Sequence, residues 1–246
     1  MLIYNDSTRL SDQLRIFLSS QAERDSPSNL APNVRPSARL KLENDLKALD
    51  SFAKRAYSAE MESQRTILGD MLVGAQGFIN CTAPPFAGAC DSATSITTER
   101  LRDVYKLWEP ILSRSALLQS VGSLLSTVAS KMIVDLEDLS DIGEEESKQL
   151  RVYCDKISEV KELFVQEHPQ SGETGDMTGI YCPNWFKFQY LAEILESSLA
   201  DIKYLWMEGE LRLEFDAEEV VDLIQALFAD SDYRRKAIAD IRRSAR

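Results

Sequence analysis

Apolar residues return every three or four positions through the last quarter of the chain, a spacing that predicts helices. One unbroken stripe predicts a single long helix and consists of Phe188, Leu191, Leu195, Leu199, Ile202 and Trp206. Pro183 can open that helix because a residue in the first turn needs no backbone N–H, and Gly209 marks its end.

Two further helices follow, each with a recognisable start signal. Asp216 and Glu219 have the spacing of a capping box, and the apolar face behind them includes Leu227. Asp230 or Ser231 can cap a last, short helix over residues 233–243.

The first 74 residues show the same periodicity with one interruption. Helical spacing of Leu10, Leu14, Phe17 and Leu18 predicts a first helix over residues 3–24, and a composition of Pro, Ser and Asn predicts a loop over residues 25–36. Ser37 can cap a rod-like helix that extends to Gly74. The predicted face of this rod consists of Leu42, Leu46, Leu49, Phe52, Ala56, Ala59, Leu68 and Leu72.

Residues 76–98 break the pattern with glycines, two consecutive prolines and a cluster of Ser and Thr, and therefore predict a surface loop. Thr97 or Thr98 would cap the next helix, and Pro110 would kink or end it because the ring removes a backbone hydrogen bond. The helix that follows, over residues 117–139, is the most apolar of the chain and is predicted to be central. Leu124 on this helix and Leu227 are both predicted to be buried, so truncation of either to alanine should cost about 2–5 kcal/mol.

Asp141 and Glu144 are spaced as a capping box for a charged helix over residues 145–164, and the polar residues 168–181 predict a loop. No hairpin dipeptide lies between two alternating runs, so no strand is predicted. The sequence therefore predicts an all-α fold, an elongated antiparallel helical bundle. We predict one module over residues 1–246, divisible into a scaffold bundle (1–167), a loop (168–182) and distal helices (183–246).

The chain has 40 acidic and 28 basic residues and a formal net charge of −12, which argues against nucleic acid because its phosphates would be repelled. No run approaches the roughly 18 apolar residues of a membrane span. The N-terminus also lacks the basic and apolar regions of a signal peptide. These patterns predict a cytosolic or membrane-peripheral chain.

Few residues are suited to catalysis or to metal binding. Cys81, Cys90, Cys154 and Cys182 are scattered, so reduced structural thiols are predicted, and a Cys81–Cys90 bridge is left open. The single histidine, His168, is predicted to lie in an exposed loop, and the acidic run around Gly143 lacks the spacing of a calcium loop. No phosphate-binding or dinucleotide-binding glycine motif is present. We predict no enzymatic activity, no catalytic or metal site and no cofactor.

The segment from Ser231 onward carries six basic and two acidic residues, a net charge of +4, so the rest of the chain sums to −16. One interpretation is a solvated end that neutralises its own protein and the negative end of the helix dipole. The other is a patch for an acidic partner surface. The candidate partner-binding residues are then Tyr233, Arg234, Arg235, Lys236, Arg242 and Arg243.

Several stretches together resemble one family. PNWFKF at 183–188, FDAEEV at 215–220, LIQALF at 223–228 and YRRKA at 233–237 resemble the C-terminus of the zeste-white-ten family (centromere/kinetochore protein zw ten), which includes the Dsl-one tethering subunits. WEPIL at 108–112, LLSTV at 124–128 and LEDLS at 136–140 are similar to the helices that precede it, and YND at 4–6 to the start of that module. The loops at 25–36 and 76–98 give no support.

The resemblance implies a helical-rod protein of the vesicle-tethering class, of which this chain would be the C-terminal module. Such a subunit captures retrograde Golgi-derived vesicles at the endoplasmic reticulum and engages SNARE proteins, and its C-terminal helices dock a large α-solenoid subunit. The implied location is cytoplasmic, peripheral to the endoplasmic reticulum membrane. In animals the family also implies a kinetochore complex with Rod and Zwilch. The alternative class is a membrane-surface or cytoskeletal interaction module.

Overall fold

The computed structural model of the chain describes residues 1–24, 36–167 and 174–245, and most of them lie in helices. The α-helices are α1 Leu2–Arg24, α2 Pro36–Val73, α3 Phe86–Trp108, α4 Arg114–Glu137, α5 Glu144–Ser158, α6 Thr178–Tyr181, α7 Trp185–Glu196, α8 Leu199–Met207, α9 Leu211–Glu214, α10 Ala217–Leu227 and α11 Asp232–Ser244. Two short 3-10 helices cover Gln76–Phe78 and Glu159–Phe164. The predicted all-α helical bundle is confirmed. The predicted positions of His168 and of most of the loop over 25–36 lie outside the described residues.

Helix α4 is the centre of the bundle, as predicted. Ser113 caps it by accepting a hydrogen bond from the backbone N–H of Ala116. Helices α2, α3, α6, α7 and α10 pack around it, and Leu124 is completely buried. By length and composition α4 could cross a membrane, yet 61% of its apolar window is buried inside the bundle. This burial is typical of a core helix.

The loop predicted over residues 76–98 is wrong in its second half, because α3 begins at Phe86 and contains the Ser and Thr cluster. The hydroxyls of Thr94, Thr97 and Thr98 donate to the carbonyl four residues earlier, at 2.7 to 2.9 Å. Each polar group is thus satisfied within the helix, and the threonines serve as small buried residues rather than as caps. Pro110 ends α3, as predicted.

The apolar stripe from Phe188 to Trp206 belongs to two helices instead of the predicted one. Ser198 caps α8 by accepting from the Asp201 N–H, and the Asp201 carboxylate accepts from the Ser198 N–H, both at 3.3 Å. This reciprocal capping box begins a new helix after α7 ends. All six residues of the stripe are buried, so the predicted face is confirmed although the helix boundary is not.

The described residues 165–167 and 174–181 hold secondary structure, part of it inside the loop predicted over residues 168–181. Strands β1 Val165–Glu167 and β2 Thr174–Asp176 pair antiparallel, and α6 follows. The prediction of no strand is therefore wrong, because strands of three residues are too short for an alternating pattern to show. The cap of α5 is not Asp141, as predicted, but Gly143. The Glu146 side chain accepts a hydrogen bond from the Gly143 N–H at 3.1 Å, and α5 begins at Glu144.

Helix α1 packs on α2 through a face that differs from the apolar face predicted from its sequence. The rings of Tyr4 and Tyr57 lie 5.0 Å apart, and Ser11 donates to the Asp50 carboxylate at 2.6 Å. Phe17, by contrast, is 56% exposed. Leu10 in α1 and Phe52 in α2 are exposed as well, whereas Ala53 and Met61 of α2 are buried. Polar and aromatic contacts define this helix pair, so apolar spacing alone misassigns its faces.

All four cysteines are buried and free, so the reduced thiols that the sequence predicts are confirmed. Cys90 donates to the Ala75 carbonyl at 3.4 Å and Cys81 to the Glu146 carbonyl at 3.8 Å, and the two are not bridged. Burial raises the pKa of Cys81, Cys154 and Cys182 to about 12. The thiols therefore stay protonated in the folded chain well above pH 9.

We expect the Cys154 thiol to make the fold less stable in alkali. Burial raises its pKa from about 9.0 in the unfolded chain to about 12 in the folded one. The stability that the buried, protonated thiol contributes is therefore complete below pH 9 and is lost as pH rises towards 12. The free energy of unfolding of each protein should fall between pH 8 and pH 10. The fall should be about 1.4 kcal/mol smaller for Cys154→Ala than for the unchanged chain. Urea unfolding of both proteins at both pH values measures this difference. Equal losses would contradict the prediction.

Candidate functional site

The candidate residues lie on α11, which is firmly held in the fold. Ser231 caps the helix by accepting from the N–H three residues on, as the sequence predicts. Ala237 and Ile241 are buried, and α11 packs on α8 and α10. Near its end, the Trp206 indole N–H donates to the Ser244 hydroxyl at 2.8 Å. The basic C-terminal segment is therefore part of the packed structure.

Arg234 has a structural role that the sequence does not reveal. Its guanidinium donates to the carbonyls of Phe228 at 2.5 Å and Gln225 at 3.2 Å, which end α10, and it pairs with Asp230 at 3.1 Å. Only 17% of its side chain is exposed. Carbonyls at the end of a helix lack hydrogen-bond partners within that helix, so the Arg234 side chain caps the C-terminus of α10. It is not available as a free cation.

Replacing Arg234 with methionine, which keeps the apolar stem, should lower the free energy of unfolding by about 1–2 kcal/mol because the α10 carbonyls lose their charged donor. Arg243 is the matched control: its side chain is 77% exposed and it pairs with Asp240. Arg243→Met should change the free energy of unfolding by less than about 0.5 kcal/mol. Urea unfolding compares the two, and equal effects would contradict the role given to Arg234.

The other arginines of α11 are paired with acids of α10, α11 and the turn between them. The pairs are Arg235 with Asp230 (2.6 Å) and Asp232 (2.7 Å), Arg242 with Glu218 (2.5 Å), and Arg243 with Asp240 (3.1 Å). The hydrogen bond from Arg242 lowers the pKa of Glu218. Asp230 and Glu218 lie outside the segment from Ser231 onward, so they offset two of its four net positive charges, as the first interpretation of the basic end expects.

One aromatic and four basic side chains of α11 remain accessible. We call them the α11 surface, which consists of Tyr233, Arg235, Lys236, Arg242 and Arg243. Tyr233 is 58% exposed, and Lys236 is exposed and has no salt bridge to any residue of the described chain. A shallow groove of about 410 Å³ runs beside them between α10 and α11, with Ile238 and Ala239 among its lining residues. Partner binding at this surface stays a prediction.

A half-buried cation joins the distal helices to the scaffold. Lys187 Nζ on α7 lies 2.7 Å from Glu219 on α10 and 3.2 Å from Glu137 on α4, and 4.7 Å from the Phe215 ring centroid. Burial raises the pKa of Glu137, whose close oxygen makes an ion pair with Lys187 but no well-formed hydrogen bond. Burial alone would lower the pKa of Lys187, but the two carboxylates outweigh it and raise that pKa.

Sequence reasoning missed this junction. The available signal was that Lys187 is the one charged residue in the apolar stretch at 185–192. The same Glu219 accepts from the Asp216 N–H at 2.8 Å, so the predicted capping box is confirmed and also takes part in the junction. The orientation of α10, and with it α11, is therefore fixed by charge as well as by packing.

The acidic residues that begin α5 have structural partners. Glu144 and Glu145 bind the Lys148 ammonium at 2.8 and 2.9 Å, and Glu146 caps the helix. In the part of the chain that the structure describes, no group of three or more His, Cys, Asp or Glu side chains could hold a metal ion.

Comparison with known proteins identifies the region that carries these features. The family described as the ZW10 C-terminal helical domain matches residues 94–241. The chain is 27% identical over 191 residues to the centromere/kinetochore protein zw10 homolog of Rattus norvegicus, covering 76% of this chain and 25% of that protein. It is 29% identical over 139 residues to the homolog of Arabidopsis thaliana (56% and 19%), and 28% identical over 138 residues to zw10 of Drosophila melanogaster (55% and 18%). The chain spans a quarter or less of the length of these relatives.

Proposed function

Because this chain belongs to the ZW10 family, we propose that it is the C-terminal module of a non-catalytic vesicle-tethering subunit for Golgi-to-endoplasmic-reticulum retrograde transport. The family match over residues 94–241, which includes α4 and reaches into α11, carries the proposal. The module docks a large α-solenoid subunit through the α11 surface and meets SNARE proteins indirectly through the assembled complex. Its location is cytoplasmic, peripheral to the endoplasmic reticulum membrane.

A kinetochore subunit is the second candidate function. The relatives from rat and from Drosophila melanogaster are named centromere/kinetochore proteins, which favours it. Both functions call for a rigid module that binds other proteins. The difference between them lies in the partners, so the test must identify partners.

The geometry of α11 supports its role as the docking element. Tyr233 and Lys236 lie three residues apart, so they project from one side of the helix. Tyrosine supplies a large contact area at low cost in conformational entropy and is enriched at interfaces. The exposed pairs of Arg235 and Arg242 contribute little to stability, so a partner carboxylate can exchange with the internal one.

The test uses the full-length protein carrying Tyr233→Ala and Lys236→Glu, isolated from cells with its assembly and mapped by cross-linking. Deleting everything from Ser231 onward would remove the buried Ala237 and Ile241 and uncover α8, so point changes are the better probe. The matched control carries Tyr204→Ala and Lys106→Glu, where Tyr204 is 64% exposed and Lys106 is exposed.

The unchanged protein and the control should retain the solenoid subunit, and the α11 variant should lose it. Co-isolation of SNARE proteins supports vesicle tethering, whereas exclusive co-isolation of chromosomal proteins supports the kinetochore function instead. Retention of the solenoid subunit by the α11 variant would overturn the docking role of this surface. A full-length protein isolated without stable partners would overturn the proposal as a whole.

A further inference from the structure

A cleft of about 630 Å³ opens where the beginning of α5 meets the ends of α7 and α10. We call it the three-helix cleft, and its apolar floor consists of Ile142, Leu195, Leu227 and Phe228. Its walls are tied together: the Ile142 N–H donates to the Ala226 carbonyl at 2.9 Å, and the Ser147 hydroxyl donates to the Leu195 carbonyl. The cleft is therefore preformed, and its volume falls in the range of about 300–1,000 Å³ typical of ligand sites.

The floor of the cleft leaves apolar surface uncovered. Ile142 and Leu195 are buried, but Leu227 and Phe228 are only half-buried, although they pack against the main core. The Phe228 carbonyl is held by Arg234 at 2.5 Å, so the backbone that carries these two side chains is fixed. A fixed, partly uncovered apolar floor can receive a side chain without a costly rearrangement.

The rim of the cleft is acidic. Lys148 is shared by Glu144 and Glu145, whose side chains are 84% and 80% exposed. Arg151 is likewise shared by Asp155 and Glu196. Glu144, Lys148 and Glu196 are the charged residues that line the cleft, and together they carry a net charge of −1.

This charge decides what the cleft can receive. An anionic lipid surface would be repelled from the rim. A segment with cationic side chains on either side of an apolar one satisfies the rim and the floor together. Apolar anchors inside a polar, charge-matched rim are the usual anatomy of protein interfaces.

We propose that the three-helix cleft docks a short basic peptide segment of a partner protein, with one leucine- or phenylalanine-sized side chain on the floor and arginine or lysine on either side. The cleft is separate from the α11 surface and takes the opposite charge. The module thereby presents two docking sites of different specificity. This inference does not depend on which complex the protein belongs to.

The test is fluorescence anisotropy of the purified chain with a labelled eight-residue peptide that carries one phenylalanine between two pairs of arginines. One companion peptide has glycine in place of the phenylalanine, and a second has glutamates in place of the arginines. The rim variant carries Glu144→Lys and Glu145→Lys. Its matched control carries Glu62→Lys and Glu99→Lys, two exposed acids on α2 and α3, away from the cleft. Circular dichroism checks the fold of each.

The phenylalanine peptide should bind the unchanged chain at least tenfold more tightly than either companion peptide does. The rim variant should weaken this binding about tenfold, and the control should stay within twofold. Glu196→Lys, placed where a helix C-terminus favours a cation, is a second rim variant and should weaken binding as well.

Three results would overturn the proposal. Equal affinity for the phenylalanine and glycine peptides would mean that only charge is recognised. An equal loss of affinity for the phenylalanine peptide in the rim variant and in the control would mean that the peptide does not bind at the cleft. Self-association of the unchanged chain that the rim variant abolishes, measured by sedimentation, would mean that a second copy covers the cleft.

Discussion

Truncating Leu124 to alanine is expected to lower the free energy of unfolding by about 2–5 kcal/mol. Leu124 lies in the middle of α4 with none of its surface exposed, and helices from both halves of the chain surround α4. The vacated space cannot close without moving several helices at once. The loss of transfer free energy is therefore increased by the energy of a cavity.

Leu227 was predicted to be equally buried, and the structure corrects this. Its side chain is half-buried at the floor of the three-helix cleft, so Leu227→Ala leaves no closed cavity and should cost about 1 kcal/mol. Leu213, 73% exposed on α9, is the reference for a surface leucine. Urea unfolding of the three alanine variants should rank Leu124 far above Leu227, and Leu227 above Leu213. A cost for Leu124→Ala no larger than that of Leu213→Ala would show that α4 is not the central helix.

Gly122→Ala is expected to destabilise the fold by about 2–4 kcal/mol, although alanine is the better helix former. A Cβ at residue 122 would lie 2.4 Å from the carbonyl oxygen of Tyr181 and 2.6 Å from its Cβ. The obstacle is the backbone at the end of α6, which cannot turn aside as a flexible side chain can. Helices α4 and α6 would have to separate, and the start of α7 would be displaced with them.

Gly69 provides the matched control because it also lies inside a helix, α2, and a Cβ there would meet nothing within 4 Å. Gly69→Ala should stabilise the chain by about 0.5–1 kcal/mol through helix propensity alone. The two alanine substitutions are thus expected to act in opposite directions in the same urea titration. Stabilisation by both would contradict the close approach of α4 and α6.

The sequence predicted those parts of the fold in which apolar spacing and capping residues agree. The stripe of α4, the caps at Asp216 and Ser231, and the end of α3 at Pro110 are examples. It failed where a polar side chain is satisfied within its own helix. The buried threonines of α3 have the composition of a loop, and only their bonds to the preceding turn show that the segment is helical. The sequence also missed the helix start at Ser198. This residue lies inside an unbroken apolar stripe, and the stripe predicts a single helix through it.

The candidate site was predictable in location but not in detail. The basic residues of α11 and their i, i+3 partners Asp232 and Asp240 could be read from the sequence. Two further partners, Glu218 of α10 and Asp230 of the turn before α11, could not. The structural role of Arg234 depends on where the carbonyls of α10 end, which no local pattern encodes. The three-helix cleft likewise exists only because three helix ends converge in space.

The composition of α4 also has a consequence for synthesis on the ribosome. When Glu137 has been made, α2 and α3 are available to cover α4, but α6, α7 and α10 are not. At about 5–20 residues per second, the roughly 60 residues up to the end of α7 take about 3–12 s, during which a helix apolar enough to cross a membrane stays partly bare. We expect a fragment that ends at Gly143 to bind a dye specific for apolar surface strongly, and the whole chain to bind it weakly. During this brief period the nascent protein exposes an apolar helix that the finished fold buries.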